Sequence, residues 1–221
     1  MTGAGRPFRG LLALLDALVF RCVVLSLHVV LRGIWRVKVE GSPPVDGPYL
    51  IAANHRSHVD PFLLQINCPH RIHYLMTVKW RDLPILRWFF RWARTISVPD
   101  GAAARQNLEA LREARRRLAD GHVVAIFYEG GIVRPDQRRE PARRGVGALA
   151  EAGLPVVPVA IWGSRRCMPP TGRLRMGAMG VRWGRPINPP ESGEGRPRER
   201  QEAFAHRIQA EVEDLLGADL D

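Results

Sequence analysis

The chain has 221 residues, a formal charge of +11 and 46% hydrophobic residues, enough for one domain with a substantial core, and no repeat or low-complexity stretch divides it. Of its 33 Lys and Arg residues only Lys38 and Lys79 are lysine; arginine's planar fork suits phosphate, so the excess favours anionic partners, although a genome-wide codon bias would produce it equally well. Cys22, Cys68 and Cys167 have neither disulfide nor zinc spacing, which excludes a disulfide-framework protein and points to a reducing, cytoplasm-facing location.

From Leu11 to Leu31 the chain is mostly Leu, Val, Ala and Phe, a run that reaches about 30 Å as a helix. Asp16, Arg21 and His28 interrupt it, and Arg21, His28 and Arg32 fall on one helical stripe. A polar stripe on an apolar helix fits a segment lying in the membrane interface or re-entering it better than a full span; a buried core helix is the alternative. Charges inside the run and the lack of a small-residue cleavage site argue against a signal peptide. Residues 1–35 are therefore expected to form a membrane-associated segment and 36–221 the folded domain.

Arg36–Glu40 reads as a strand, and Tyr49–Ala53 as a buried strand. Pro61 fits the first turn of a helix running to Gln65, with Ser57 or Asp60 as N-cap. Ile72–Met76 is expected to be a strand, Pro84–Ala93 a basic and aromatic helix, and Thr95–Val98 a strand. Over Ala102–Ala119, Ala104, Leu108, Leu111, Ala114 and Leu118 mark one helical face, closed by Gly121. Val123–Phe127 is an apolar strand, Gly145–Ala152 a short helix and Pro155–Ile161 another strand. A glycine-rich strand region over Leu174–Trp183 precedes a helix from Arg198 to Leu216, whose stripe is Phe204, Ile208, Val212 and Leu215. Apolar strands alternating with helices predict an α/β fold, a mostly parallel sheet covered by helices, with functional loops at strand carboxyl ends.

The loop after the second strand is Asn54-His55-Arg56-Ser57-His58-Val59-Asp60. A histidine removes a proton near neutral pH, and a nearby carboxylate fixes its tautomer and stabilises the imidazolium. His55, His58 and Asp60 as metal ligands is the competing reading, but no helical His-Glu-x-x-His pattern supports it, and no metal is expected. Arg115-Arg116-Arg117 and Arg138-Arg139 would suit a nucleic-acid binder, yet no recognition motif accompanies them, so no nucleic-acid partner is expected. His70, His73, His122 and His206 lack partners at useful spacing and read as structural or surface residues.

Taken with three later blocks, the loop resembles the first signature block of the glycerolipid acyltransferases that include lysophosphatidic acid acyltransferase. The second block is similar in Lys79, Pro84 and Ile96-Ser97-Val98-Pro99-Asp100, the third in Phe127-Tyr128-Glu129-Gly130, and the fourth in Pro155–Ile161 preceded by Arg144-Gly145. The resemblance covers about Arg36 to Asn188. It implies an O-acyltransferase of phospholipid biosynthesis at the cytoplasmic membrane face, with His55 the base and Asp60 its orienter. Glu129 would bind the acceptor, Gly130, Asn54 and Ser57 would shape the substrate site, and Lys79 would stand at its edge. Acyl-CoA or acyl carrier protein would be the donor substrate, membrane lipids the partners, and no cofactor is implied. Backbone amides at the start of the helix after the loop are candidates for holding the thioester oxyanion.

Three departures bear on the acceptor. Gly101 and Ile132 stand where the family carries arginines that grip an acceptor phosphate, and Tyr128 replaces a proline, which is expected to alter the wall of the acceptor site. A non-phosphate acceptor is the alternative. A catalytically inactive membrane scaffold is a further one, against which His55, Asp60 and Glu129 argue.

Overall fold

Seven strands form a single sheet in the order β1-β7-β6-β2-β5-β3-β4: β1 Arg36–Glu40, β2 Leu50–Ala53, β3 Ile72–Thr77, β4 Ile96–Val98, β5 Val123–Phe127, β6 Val156–Trp162 and β7 Ala178–Trp183. In this computed structural model the described residues are 5–78, 84, 87–99, 104–133, 142, 144–189 and 196–217. The helices are α1 Gly5–Ile34, α2 Asp60–Ile66, α3 Arg87–Trp92, α4 Ala104–Ala119, α5 Gly145–Ala150, α6 Ser164–Cys167 and α7 Pro197–Leu216.

Five neighbouring strands, β6, β2, β5, β3 and β4, run parallel. β7 joins β6 antiparallel and β1 joins β7 parallel, so the last two strands run the other way. The expected mostly parallel α/β sheet is thus present with a reversed edge pair. Every residue of β2 and β6 is buried, as central strands covered on both faces require.

Side-chain alternation divides the core into two layers. Tyr49, Ile51, Ala53, Leu63, Val123, Ala125 and Val157 lie on the face that α2 and the C-terminal half of α1 cover. Leu50, Ala52, Val124, Val156 and Ala160 pack with α4, α5 and α7 on the other.

Most helices and strands fall where periodicity places them, and the differences are local. The stripe of α4 is rotated: Ala110, Ala114 and Leu118 are buried whereas Leu108 is 45% exposed. Of the expected aromatic helix Arg87–Trp92 forms α3, none of whose residues is buried, while residues 85 and 86 lie outside the described residues. Only Ala178–Trp183 of the glycine-rich region is strand, and the one-turn helix α6 was not foreseen. Ser57 and Asp60 do not cap α2 by a side chain; Val59 takes the N-cap position, since the Asp60 carboxylate is turned back into the preceding loop.

α1 is long and apolar enough to cross a membrane by length and composition, with mean hydropathy 2.2 over its best window. Leu14, Leu18, Leu25 and Val29 are 58–71% exposed. The opposite side is held to the domain: Val24, Leu27 and Leu31 pack on the core, and the Asp16 carboxylate accepts from Trp92 Nε1 at 2.8 Å and pairs with Arg71 at 3.0 Å. Asp16, one of the interruptions in the apolar run, is thus one of the points that attach the helix to the domain.

Candidate active site

β2 and β5 are parallel neighbours, with Ala53 paired to Phe127. Their carboxyl ends therefore deliver His55 and Glu129 to the same edge of the sheet. Asn54 carries the β2–β6 pairing one step past the last strand residue. Its side-chain amide donates to Ile161 O at 2.8 Å and accepts from Ile161 N at 2.7 Å, so it fixes where the loop leaves the sheet.

Asp60, fully buried, organises the loop through one oxygen. Its Oδ2 accepts from Arg56 N at 2.6 Å and Ser57 N at 2.8 Å, and lies 2.9 Å from His55 Nδ1. Those two amides hold the carboxylate, and the carboxylate holds the imidazole. The ring is packed in parallel against Phe127, with centroids 4.0 Å apart and planes 11° apart. With Nδ1 committed to Asp60, Nε2 is the nitrogen left to take a proton. Burial pushes the pKa of the nearby His58 down, reinforced by His55 and opposed by Asp60.

Glu129 is also spent inside the loop. Its Oε2 accepts from His55 N at 2.6 Å and its Oε1 pairs with Arg56 Nη1. Both side chains are nearly inaccessible, 5% exposed for Arg56 and 6% for Glu129. Desolvation raises the Glu129 pKa, with Arg56 the largest opposing influence. Gly130 follows with φ +74°, a conformation that favours glycine, and Val133 N donates to His55 O at 3.1 Å. The loops after β2 and β5 are thus tied together by backbone and carboxylate alike.

Ser57 Oγ donates to the carbonyl of Met168 and accepts from Val59 N, joining the loop to the segment after α6. Lys79 and Gly101 lie outside the described residues, as do Arg134, Arg138 and Arg139. Ile132 is described and half-buried. Among the described residues no group of three or more His, Cys, Asp or Glu is placed to hold a metal ion.

Two expectations are corrected. Tyr128 does not wall the site: it is buried on the opposite face of the sheet from Phe127, with Leu50 and Val146, as alternation along β5 requires. Nor do amides at the start of α2 await an oxyanion, since those of Asp60, Phe62 and Leu63 donate to Ser57 O, Val59 O and Val59 O, and Pro61 has none. Arg56 as the partner of Glu129 was missed in the sequence. The signal was the basic residue next to His55, but only strand pairing brings it to the second loop.

Residues 36–162, more than half of the chain, match the family model described as Acyltransferase. A 1-acyl-sn-glycerol-3-phosphate acyltransferase of Chlamydomonas reinhardtii is 27% identical over 59% of this chain and 39% of its own length. One of Saccharomyces cerevisiae is 25% identical over 76% and 55%. The chain thus spans roughly two fifths to just over half of the length of these relatives. The crystal structure of the 1-acyl-sn-glycerophosphate (LPA) acyltransferase PlsC from Thermotoga maritima superposes with a TM-score of 0.61 at 26% identity, covering 79% of this chain and 71% of that one.

A mostly parallel sheet that presents an imidazole–carboxylate pair at its carboxyl edge, with these matches, defines a transferase fold related to the phospholipid-synthesising enzymes. The chain belongs to the acyltransferase family.

Proposed function

We propose that the chain moves a fatty acyl group from acyl-CoA or acyl carrier protein to the hydroxyl of a lysophospholipid-type acceptor, resembling 1-acylglycerol-3-phosphate. The single observation that carries this is the His55 Nδ1–Asp60 Oδ2 contact of 2.9 Å. It holds the tautomer in which Nε2 is basic and supplies the negative charge that stabilises an imidazolium.

In this scheme Nε2 takes the hydroxyl proton as the acceptor oxygen attacks the thioester carbon. The tetrahedral intermediate collapses by breaking the carbon–sulfur bond, and the imidazolium returns the proton to the departing sulfur. The ester forms directly, so neither a covalent acyl-enzyme nor a cofactor is required. Asn54, Ser57, Glu129 and Gly130 act in this reading by fixing the two loops. Lys79 is proposed at the edge of the site from the resemblance alone.

The exposed leucines of α1 would enter the interfacial layer of the membrane while its other side stays on the domain. Contacts from Asp16 to Leu31 leave little of the helix to cross a bilayer independently. We place the domain on the cytoplasmic face, in line with three free cysteines.

A second reading keeps the chemistry and changes the acceptor to one without phosphate. Ile132 favours it, because an aliphatic side chain at that position offers no donor to an oxyanion. The test is to incubate the protein with labelled acyl-CoA or labelled acyl carrier protein and a panel of lysophosphatidate, neutral lysolipids, amines and sugars, and to identify the product by mass. Ester formation on lysophosphatidate supports the first reading, and on a neutral acceptor alone the second. No acyl transfer from either thioester donor sinks both.

A further inference from the structure

A cavity of about 580 Å³ opens between α1 and the amino ends of β3 and β5, lined among others by Asp16, Arg21, His28, Arg71, Arg94 and His122. His55 and Glu129 lie at the carboxyl ends of β2 and β5, so the cavity is at the opposite edge of the sheet. The length of β5 alone separates the two by roughly 13 Å.

Three of these residues are arginines, and Asp16 is the sole carboxylate of the described lining. Asp16 is already shared, 3.0 Å from Arg71 and 3.5 Å from Arg94. Arg71 is fixed rather than mobile. Its guanidinium sits 4.1 Å from the Phe20 ring centroid and 5.3 Å from that of Trp92, and its side chain is only 14% exposed. Arg94 is the one non-glycine residue with positive φ among the described residues, at +59°. These arginines add to burial in lowering the pKa of two histidines of the lining, His73 and His122. Burial is the first cause of the lowered pKa of His122, followed by Arg94 and Arg117, with Asp120 opposing.

Arginine forks and imidazoles around a cavity of this volume fit a phosphate oxyanion carried on a small organic group. Leu25 of α1 lines the same cavity and is 64% exposed. The cavity therefore adjoins the apolar face of α1 assigned above to the membrane interface. We infer that this cavity binds the phosphate of an anionic phospholipid headgroup, with the acyl chains beside the exposed leucines of α1. The site is distinct from the acyl-transfer centre and sets how α1 and the domain sit on an anionic membrane. It rests on the membrane reading of α1, not on the acyl-transfer reading.

The test is co-flotation of the full chain with vesicles of phosphatidylcholine alone or mixed with phosphatidylglycerol. Wild type should bind the anionic vesicles at least about tenfold more tightly, as expected for one charge-assisted contact. Arg21→Gln, at an exposed lining position, should lose most of that preference and keep wild-type binding to neutral vesicles. Arg112→Gln removes the same charge from the exposed side of α4 and should keep the preference. Equal losses in the two variants would assign the effect to diffuse charge and overturn the proposal. Equal binding of wild type to both vesicles would overturn it while leaving α1 as a membrane element, and no binding to any vesicle would sink both readings. Inorganic phosphate, titrated without vesicles and followed by tryptophan emission, should not saturate the protein at millimolar concentration. Saturation without any anionic-vesicle preference would make the ligand a soluble ion and overturn the lipid source.

Discussion

The two edges of the sheet handle charge in opposite ways. At the carboxyl ends of β2 and β5 the carboxylates are engaged within the loops: Asp60 holds His55 and two amides through Oδ2, and Glu129 holds Arg56 and the amide of His55. At the amino ends of β3 and β5 the arginines outnumber the carboxylates, with Asp16 shared between Arg71 and Arg94. The first arrangement fixes one proton acceptor in place before any substrate arrives. The second leaves positive charge that a ligand must neutralise. Pre-organisation serves chemistry at one edge, and residual field serves binding at the other.

The largest effect belongs to the catalytic edge. His55→Ala should lower acyl transfer by ~10²–10⁴-fold, the usual contribution of a positioned base, with the fold kept but the thermal midpoint lowered, because the ring packs on Phe127 and pairs with buried Asp60. Product formation from labelled acyl-CoA measures it, and wild-type turnover would remove His55 from the mechanism. Asp60→Asn should cost somewhat less, about 10²-fold, since an amide cannot stabilise the imidazolium and offers a donor where Oδ2 accepts three contacts. Wild-type turnover with an unchanged pH–rate profile in Asp60→Asn would show that the pair is structural only.

Glu129→Gln distinguishes holding an acceptor from holding the loops. Replacing a buried carboxylate beside the Arg56 guanidinium should destabilise the fold by about 3 kcal/mol. The loss should read as a lower denaturation midpoint together with a reduced kcat. A raised KM with unchanged stability would instead return Glu129 to the acceptor. The sign with pH follows from its raised pKa: whatever stability it contributes is fully present below the ordinary value of 4.5 and is lost as pH rises through the higher folded value.

Much of the catalytic edge was readable from the chain because it is local. His55, Asp60 and the amides of Arg56 and Ser57 fall within six residues, so spacing and residue type sufficed. The Arg56–Glu129 pair spans 73 positions and depends on which strands are neighbours, information that periodicity does not carry. The same holds for Tyr128, whose family counterpart suggested a role at the site until alternation along β5 put it on the other face. The reversal of β7 was hidden for a related reason, since an apolar strand reads the same in either direction. The cavity edge was almost invisible: Asp16, Arg71 and Arg94 are far apart in sequence, and Asp16 looked like a flaw in an apolar helix. His73 and His122 appeared partnerless, yet their rings lie 4.6 Å apart.

His73 gives the smallest and most specific test of the cationic edge. It is 1% exposed, and its pKa is pushed down from 6.5 to about 3, first by burial and then by His122, Arg117, Arg94 and Arg71. A lowered histidine pKa means that the unfolded chain binds the proton more readily than the folded one. The stability tied to neutral His73 is therefore complete above pH 6.5 and drains away as pH falls toward 3. With its size reduced by local relaxation, the effect should be about 2 kcal/mol across that window. His73→Phe keeps a buried ring and cannot take the proton. Urea denaturation from pH 7 to pH 4 should show a shallower loss in that variant than in wild type. Parallel losses in the two proteins would mean that His73 is protonated in the fold without penalty, and that the positive field at this edge is weaker than its arginines suggest.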